Sequence, residues 1–496
     1  MRVILLGNSG SGKSTALGQL LYLRKRVSEA ELGSLKRSCQ NMGQPYAYWA
    51  WIVDEVQVDR KRELTVLGNY RSLSTVCNDV WIMDPPGHRF FTGPAIRQTA
   101  NATYALVFIS ADDTEFEQAF IPSGSLIQHI RALNFLEVSP VYIMNKMDLK
   151  GYSQAAFNKA VAKLTAILHS LNINTPPKVI PISAFLGDNV NSKPETNMPW
   201  YFGPNLYEVI QSLSPVPIPP FLPPTSTPQP LNLSLTFVKN RPRFNFFQLR
   251  NPLAVCTVLS GEVVKDMVVK MPFVRMVNTV KSGKRVKGKK GSAPTTVAGE
   301  GAKAFCKAPS NDQKDTFPLR QFEIRTVEVQ ICSIKGIEGL DILKASTGNI
   351  CTVGVENLED GKGLFKRFKL NRGTILTNGN ISFAHIVVVE IAIVDIGFEV
   401  RVGYSADWNV YCAHTGGVIT SIDSVLDPHT GKAVDPKPAT LKAGSLAQIT
   451  VAFSHPIPAD THQANPMFGK IIVRDRMQTV GMGHIKQIIK KVETKK

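Results

Sequence analysis

No apolar run in this 496-residue chain is long enough to cross a bilayer. The longest, Ile386 to Ile396, is broken by Glu390 and Asp395, well short of the ~20 apolar residues a spanning helix needs. Cysteine is sparse: seven residues, at 39, 77, 256, 306, 332, 351 and 412, with no CxxC pair. An odd, scattered set excludes a disulfide framework or a zinc-stapled fold and points to reduced thiols and a cytoplasmic location. The stretch before Gly7 is too short to supply the apolar core of a signal peptide. Acidic residues are also in short supply, 39 against 57 Lys and Arg, for a formal net charge of +18. That shortage is local. Residues 1–220 hold 20 basic and 17 acidic residues, whereas 221–496 hold 37 and 22. The second half is the expected polyanion binder.

What is present divides the chain into parts. Over residues 1–214, the continuous apolar runs Val3–Leu6, Val80–Met83, Tyr104–Ile109, Val141–Met144 and Val179–Ile182 suit strands buried on both faces. Between them, Thr15–Arg26, Ser125–Leu136 and Gln154–Leu171 have helical patterns. This alternation predicts a doubly wound, mostly parallel α/β domain. The Pro-rich residues 215–231 read as a stiff linker and hinge. Beyond it, short β-branched runs (Ala254–Leu259, Val327–Cys332, Ile386–Val394, Ile449–Phe453) predict two small all-β barrels, 232–377 and 378–496. Residues 275–325 carry 12 basic and 4 acidic residues, including the Lys-rich run 281–290, and read as a loop insertion in the first barrel.

Four motifs inside the first domain carry the chemistry. Gly7-Asn-Ser-Gly-Ser-Gly-Lys-Ser14 is a G-x-x-x-x-G-K-[ST] loop between a strand and a helix. Its backbone N–H groups turn inward on phosphate oxygens, Lys13 reaches the β and γ phosphates, and Ser14 offers a hydroxyl to Mg²⁺. Asp84-Pro-Pro-Gly87 follows an apolar run; Asp84 would hold Mg²⁺ through water, and the Gly87 N–H would sense the γ-phosphate. Asn145-Lys-Met-Asp148 lies at the carboxyl end of the next-to-last run, where ligands of parallel sheets bind. A carboxylate at 148 can accept from guanine N1–H and the 2-amino group, which adenine lacks, with Asn145 and Lys146 bracing the loop. Ser183-Ala-Phe185 completes the base pocket. The order of the four motifs predicts a guanine-nucleotide switch using GTP, GDP and Mg²⁺. His88 is the candidate catalytic residue, placed to orient a water on the γ-phosphate. Thr65 is the candidate loop threonine that closes on the metal.

These residues, taken in order, resemble the elongation factor 1-alpha family of translational GTPases. The likeness extends to Tyr48-Trp-Ala-Trp-Ile-Val-Asp54, Glu115-Phe-Glu117, Met198-Pro-Trp-Tyr201, Gly261–Val269 and Val473–Val480. It implies that Gly7 to Thr15 (Asn8, Ser9, Gly10, Ser11 and Gly12 included), Asn145, Asp148 and Ser183 bind nucleotide. It also implies Ser14 and Thr65 on the metal, His88 on the water, and cargo carried to the ribosomal A site. The expected partners are the ribosome, a tRNA or a tRNA-shaped protein of Pelota or release-factor type, and an exchange factor; no membrane is expected, and the chain is expected to be a monomer.

The chain departs from the family where an aspartate is usual (Gly10), an apolar gate residue (Ser9), a glycine (Glu63) and an alanine (Pro85). These changes favour a divergent rescue or termination paralogue over a housekeeping factor delivering aminoacyl-tRNA. They also admit a module that keeps GTP without hydrolysing it and binds RNA or the ribosome.

Overall fold

The computed structural model describes residues 1–54, 57–62, 65, 68–76, 79–121, 124–194, 196–214, 231–239, 253–277, 321–336, 339–357, 373–379, 383–394 and 397–492. The Pro-rich hinge, save Leu231, the run 281–290, and Glu63 lie outside these residues.

The first part is a six-stranded sheet. Its strands are β1 (Arg2–Leu6), β2 (Asn69–Ser74), β3 (Asp79–Asp84), β4 (Tyr104–Ser110), β5 (Ser139–Asn145) and β6 (Val179–Pro181), in the order β2-β3-β1-β4-β5-β6. All pairs are parallel except β2–β3. The β1 sequence RVILL is buried throughout because both faces are covered. Val3 and Leu5 pack under the helices α1 (Lys13–Leu23) and, further along the chain, Leu206–Ser212. Ile4 and Leu6 face the opposite cluster, which holds Leu126, Ile130 and Leu164 from helices in 125–136 and 154–170. Each fully buried aliphatic side chain of this kind contributes about 1.5–3 kcal/mol.

The intervening helices, numbered in chain order, are α2 (Glu29–Asn41), α3 (Tyr48–Val53), α4 (Gln57–Arg62), α5 (Thr92–Thr99), α6 (Asp113–Ala119), α7 (Ser125–Leu136), α8 (Gln154–Ser170) and α9 (Leu206–Ser212). Their starts are chemically marked. The Asp112 carboxylate accepts from Thr114 and Glu115 N–H at the head of α6, and Asn205 with Glu208 closes a capping box on α9.

Two closed six-stranded barrels follow. The first runs in the order Val268–Val277, Gln321–Lys335, Ile350–Asn357, Leu253–Ser260, Asn232–Lys239, Ile375–Thr377. The flanks of the expected insertion are strand, not loop: Arg275, Met276 and Val277 pair with Glu323, Phe322 and Gln321. Their β-branched and aromatic neighbours extend the ladder past the basic composition that suggested a loop. The second barrel is built from Ser405–Val410, Lys470–Asp475, Gln478–Val492, Phe383–Ile393, Leu446–Pro458 and Ala413–Leu426, and closes through pairing of the first with the last. Trp408, fully buried, sits in its core.

Both barrels pack on the sheet domain. Ile96 of α5 and Ala132 of α7 meet Ile472 of the second barrel. Leu259 and Ile324 of the first barrel meet Phe383, Tyr411 and Phe468 of the second. At the junction of all three parts, one buried oxygen, Asn101 Oδ1, accepts from Arg2 Nη1 at 3.3 Å, Thr257 Oγ1 at 3.1 Å and Tyr411 Oη at 2.8 Å. Among the described residues, Cys39, Cys256, Cys351 and Cys412 are free thiols. Among the described residues no helix is long and apolar enough to cross a membrane.

Candidate nucleotide-binding site

The loop from Gly7 to Ser14 leaves β1 at the carboxyl edge of the sheet and enters α1. Gly12 stands at the head of α1 with φ 89°, a left-handed conformation that suits glycine. A Cβ there would collide with Asn145 Nδ2, so glycine is needed for conformation and for space. Ser9 and Gly10 form the exposed tip, and Thr15 lies in the first turn of the helix. Asn8 Oδ1 accepts from Ser125 Oγ at 2.5 Å, which ties the loop to α7. Ser11 is buried, with its hydroxyl lacking a partner. The Lys13 ammonium folds back onto the carbonyls of Gly7 (3.0 Å) and Asn8 (2.8 Å). Burial pushes it down to about 8, against the opposing pull of Asp84 and Asp54.

Around Ser14 the side chains converge. Ser14 Oγ donates to Asp84 Oδ2 at 2.6 Å and lies 3.4 Å from Thr65 Oγ1. Thr65 Oγ1 donates to Asp54 Oδ1 at 3.2 Å, and Asn69 Nδ2 donates to the same oxygen at 2.7 Å. Asp84 is fully buried, and its Oδ1 has no partner. Burial raises its pKa, with Lys13 pulling the other way. Asp54 is raised to about 7 by burial and by the nearby Asp84 and Asp59 carboxylates. An orphaned buried carboxylate oxygen beside two hydroxyls is the donor set of a hard divalent cation. The structure thus brings Ser14, Thr65 and Asp84 together.

Gly87 lies against the loop: a Cβ there would meet Lys13 Nζ and the carbonyls of Gly7 and Asn8. His88 is half-buried. Its Nδ1 accepts from Phe90 N–H at 3.4 Å, and its ring stacks on Phe90 with centroids 5.0 Å apart.

The base side is equally connected. Asn145 Nδ2 donates to Ser11 O at 2.8 Å, and its Oδ1 accepts from Ala184 N–H at 2.9 Å. One carboxamide therefore clips the phosphate loop to the Ser183-Ala-Phe185 loop. Lys146, left-handed at φ 65°, pairs with Glu115 at 2.7 Å. Asp148 Oδ1 accepts from Ser183 Oγ at 2.6 Å, which orients the carboxylate. The Phe185 ring packs beside Tyr46 and Tyr48, while its carbonyl accepts from Trp49 Nε1 at 3.2 Å.

Four contributors were not assigned from sequence: Asp54, Asn69, Glu115 and Ser125. Asp54 and Glu115 lie in segments whose family likeness was visible, but the contact that defines each is long-range. Asn69 and Ser125 carry no sequence signal.

A P-loop, a carboxylate opposite Ser14 and an Asn-Lys-x-Asp loop, with two barrels docked alongside, define a guanine-nucleotide-binding GTPase of three-part architecture. Comparison with known proteins places it further. Residues 1–243 match the elongation factor Tu GTP binding domain, and 386–486 match the GTP-eEF1A C-terminal domain-like family. The chain is 26% identical over 493 residues to elongation factor 1-alpha of Pyrobaculum arsenaticum, covering 98% of this chain and 94% of that protein. It is 27% identical over 494 residues to that of Caldivirga maquilingensis, with the same coverage. In fold it is similar to the S. cerevisiae Ski7 GTPase-like domain bound to GTP (TM-score 0.70, 14% identity, 98% of this chain and 96% of that one). It is also similar to elongation factor SelB of Methanococcus maripaludis (TM-score 0.58, 12% identity, 98% and 79%). The chain belongs to the elongation factor 1-alpha-like translational GTPases, and its reaction is the hydrolysis of GTP.

Proposed function

We propose that this protein binds GTP with Mg²⁺, carries a tRNA or a tRNA-shaped protein to the ribosomal A site, and releases it on hydrolysis. The observation that carries this is the continuity from the nucleotide to the barrels. The turn Asp84–His88 runs through the 3-10 turn Arg89–Phe91 into α5, and α5 is held by the second barrel: Arg97 Nη1 donates to Asn409 Oδ1 at 3.0 Å and lies 4.0 Å from Asp407. From α7, Gln128 Oε1 accepts from Thr479 N–H at 2.9 Å. A change at Gly87 therefore acts on the cargo-holding half through one short helix.

Asp148 reads guanine, with Asn145, Lys146 and the Ser183–Phe185 loop shaping the pocket. Gly7 to Thr15 wrap the phosphates. Ser14, Thr65 and Asp84 would hold Mg²⁺, which supplies charge neutralisation at the β and γ oxygens. When triphosphate enters, Lys13 exchanges its carbonyl partners for phosphate oxygens. His88 orients the attacking water. Positioning and electrostatics account for most of such a reaction.

The exposed Ser9 and Gly10, with Glu63, favour a rescue or termination role over bulk delivery of aminoacyl-tRNA, in the cytoplasm and as a monomer. The test is capture of cargo from a lysate of the protein's own cells, using the protein loaded with a non-hydrolysable GTP analogue. A tRNA-shaped protein in the eluate supports the rescue or termination reading; aminoacyl-tRNA makes the protein a working elongation factor.

A further inference from the structure

We propose that Phe90 is a positioning residue for GTP hydrolysis, fixing both the orientation and the tautomer of His88. The inference rests on the reading that His88 orients the water, and it adds a residue to which no role has been given. His88 caps the short 3-10 turn Arg89–Phe91: its backbone is extended (φ −77°, ψ 140°) and its side chain accepts from Phe90 N–H. The accepting atom is Nδ1, at 3.4 Å. A ring nitrogen that accepts carries a lone pair, so in the neutral imidazole the proton sits on Nε2. That nitrogen can donate to a water or phosphate oxygen, but it cannot take the water's proton. The cap therefore makes His88 an orienting group, with proton transfer left to the phosphate.

The ring of Phe90 adds the second constraint. It stacks on the imidazole at 29°, with centroids 5.0 Å apart, and Phe91 leans on the same ring at 6.3 Å and 59°. Phe90 is 59% exposed, so its burial does little for the fold. Its contacts are local: the imidazole, and the Arg89 guanidinium 5.5 Å from its centroid. An aromatic this exposed, set against a candidate catalytic group, acts on that group's geometry.

Backbone and side chain can be separated, since Phe90→Ala keeps the N–H and removes the ring. In the full-length protein labelled with ¹⁵N-histidine, the His88 signals are identified by their loss in His88→Ala. Wild type should show an acceptor-type Nδ1 and a protonated Nε2, and Phe90→Ala, which keeps the N–H, should retain that tautomer while losing rate. A mixture in wild type would overturn the clamp. In single-turnover hydrolysis of Mg-GTP, Phe90→Ala should be slower by roughly three- to tenfold, the ratio to which one aromatic stacking contact converts. Half-saturating GTP should not change, Phe90→Trp should restore the rate, and Phe90→Ala should have no further effect in His88→Ala. Unchanged turnover in Phe90→Ala, with turnover lost in His88→Ala, defeats the Phe90 proposal alone. Full turnover in His88→Ala defeats the reading of His88 itself, while the tautomer measurement still stands as a test of the clamp.

Discussion

Tyr411 Oη donates a 2.8 Å hydrogen bond to Asn101 Oδ1, joining residues 310 positions apart at the point where both barrels meet the nucleotide-binding domain. Thr257 Oγ1 and Arg2 Nη1 reach the same oxygen. Every member of this junction is at most 6% exposed. Asn101→Ala leaves three buried donors without their acceptor and should cost about 1–3 kcal/mol or more. Tyr411→Phe removes one donor and should cost about 1 kcal/mol. Thermal melts of the two variants should rank Asn101→Ala below Tyr411→Phe and both below wild type; coincident melts would show that the junction contributes nothing.

In the proposed function, guanine selection rests on Asp148. Asp148→Asn replaces an acceptor with a group that also donates, so guanine N1–H and the 2-amino group lose their partner. A loss of about 1.5–3 kcal/mol, roughly ten- to hundredfold in GTP affinity, follows from one charged hydrogen bond. The amide can instead donate to the 2-oxo group of xanthine. Displacement of a fluorescent GDP by GTP, xanthosine triphosphate and ATP should show the preference move to xanthosine triphosphate; retained GTP preference would remove Asp148 from base recognition.

Gly18, in α1, lies under α3, and a Cβ there would run into the Trp49 carbonyl. Gly18→Ala should therefore push α3 outward, at about 1–3 kcal/mol for an overpacked site. It should also strain the Trp49 bond to Phe185 O. GDP release, followed by stopped flow, should quicken in this variant and melting should fall. Normal values for both would mean that α1 and α3 can separate freely.

His129 is 1% exposed and held neutral, its pKa lowered to about 3 by burial, with Arg474 and Lys13 adding to the effect. The unfolded chain binds a proton near 6.5, the folded one only near 3. This group's contribution is therefore complete above about pH 6.5 and declines as pH falls towards 3. His129→Gln, which does not titrate there, should flatten that part of the stability curve. Urea midpoints at pH 7, 6, 5 and 4 would settle it, and parallel curves would exclude His129 as a source of acid lability.

The continuous apolar runs read as strands because both faces of the central sheet are covered. Tyr104–Ile109 is contained in β4 (Tyr104–Ser110), and Ser125–Leu136 coincides with α7. β2 was not legible. As an antiparallel edge strand it has a sequence, NYRSLS, that is too polar and too short to signal burial. α3 was hidden for another reason. Six residues rich in aromatics do not declare a helix; this one is stabilised by Arg60 Nη2 on Trp51 O and Arg71 Nη2 on Ile52 and Val53 O. In the site, the motif residues were legible because phosphate and base chemistry restricts their spacing. Asn69 and Ser125 were not, because each acts on a residue distant in sequence, Asn69 on Asp54 and Ser125 on Asn8.

α3 also turns the site into an optical instrument. Two of the chain's five tryptophans lie within it, Trp49 bonded to the base loop and Trp51 facing the Arg60 guanidinium at 5.0 Å. Both are at most 6% exposed. The two indoles face different surroundings: Trp49 the Ser183–Phe185 loop, and Trp51 the Arg60 guanidinium between Asp54 and Thr65. Filling or emptying the proposed site should change the surroundings of both rings, which would give the native protein its own fluorescent record of nucleotide occupancy, with no attached label.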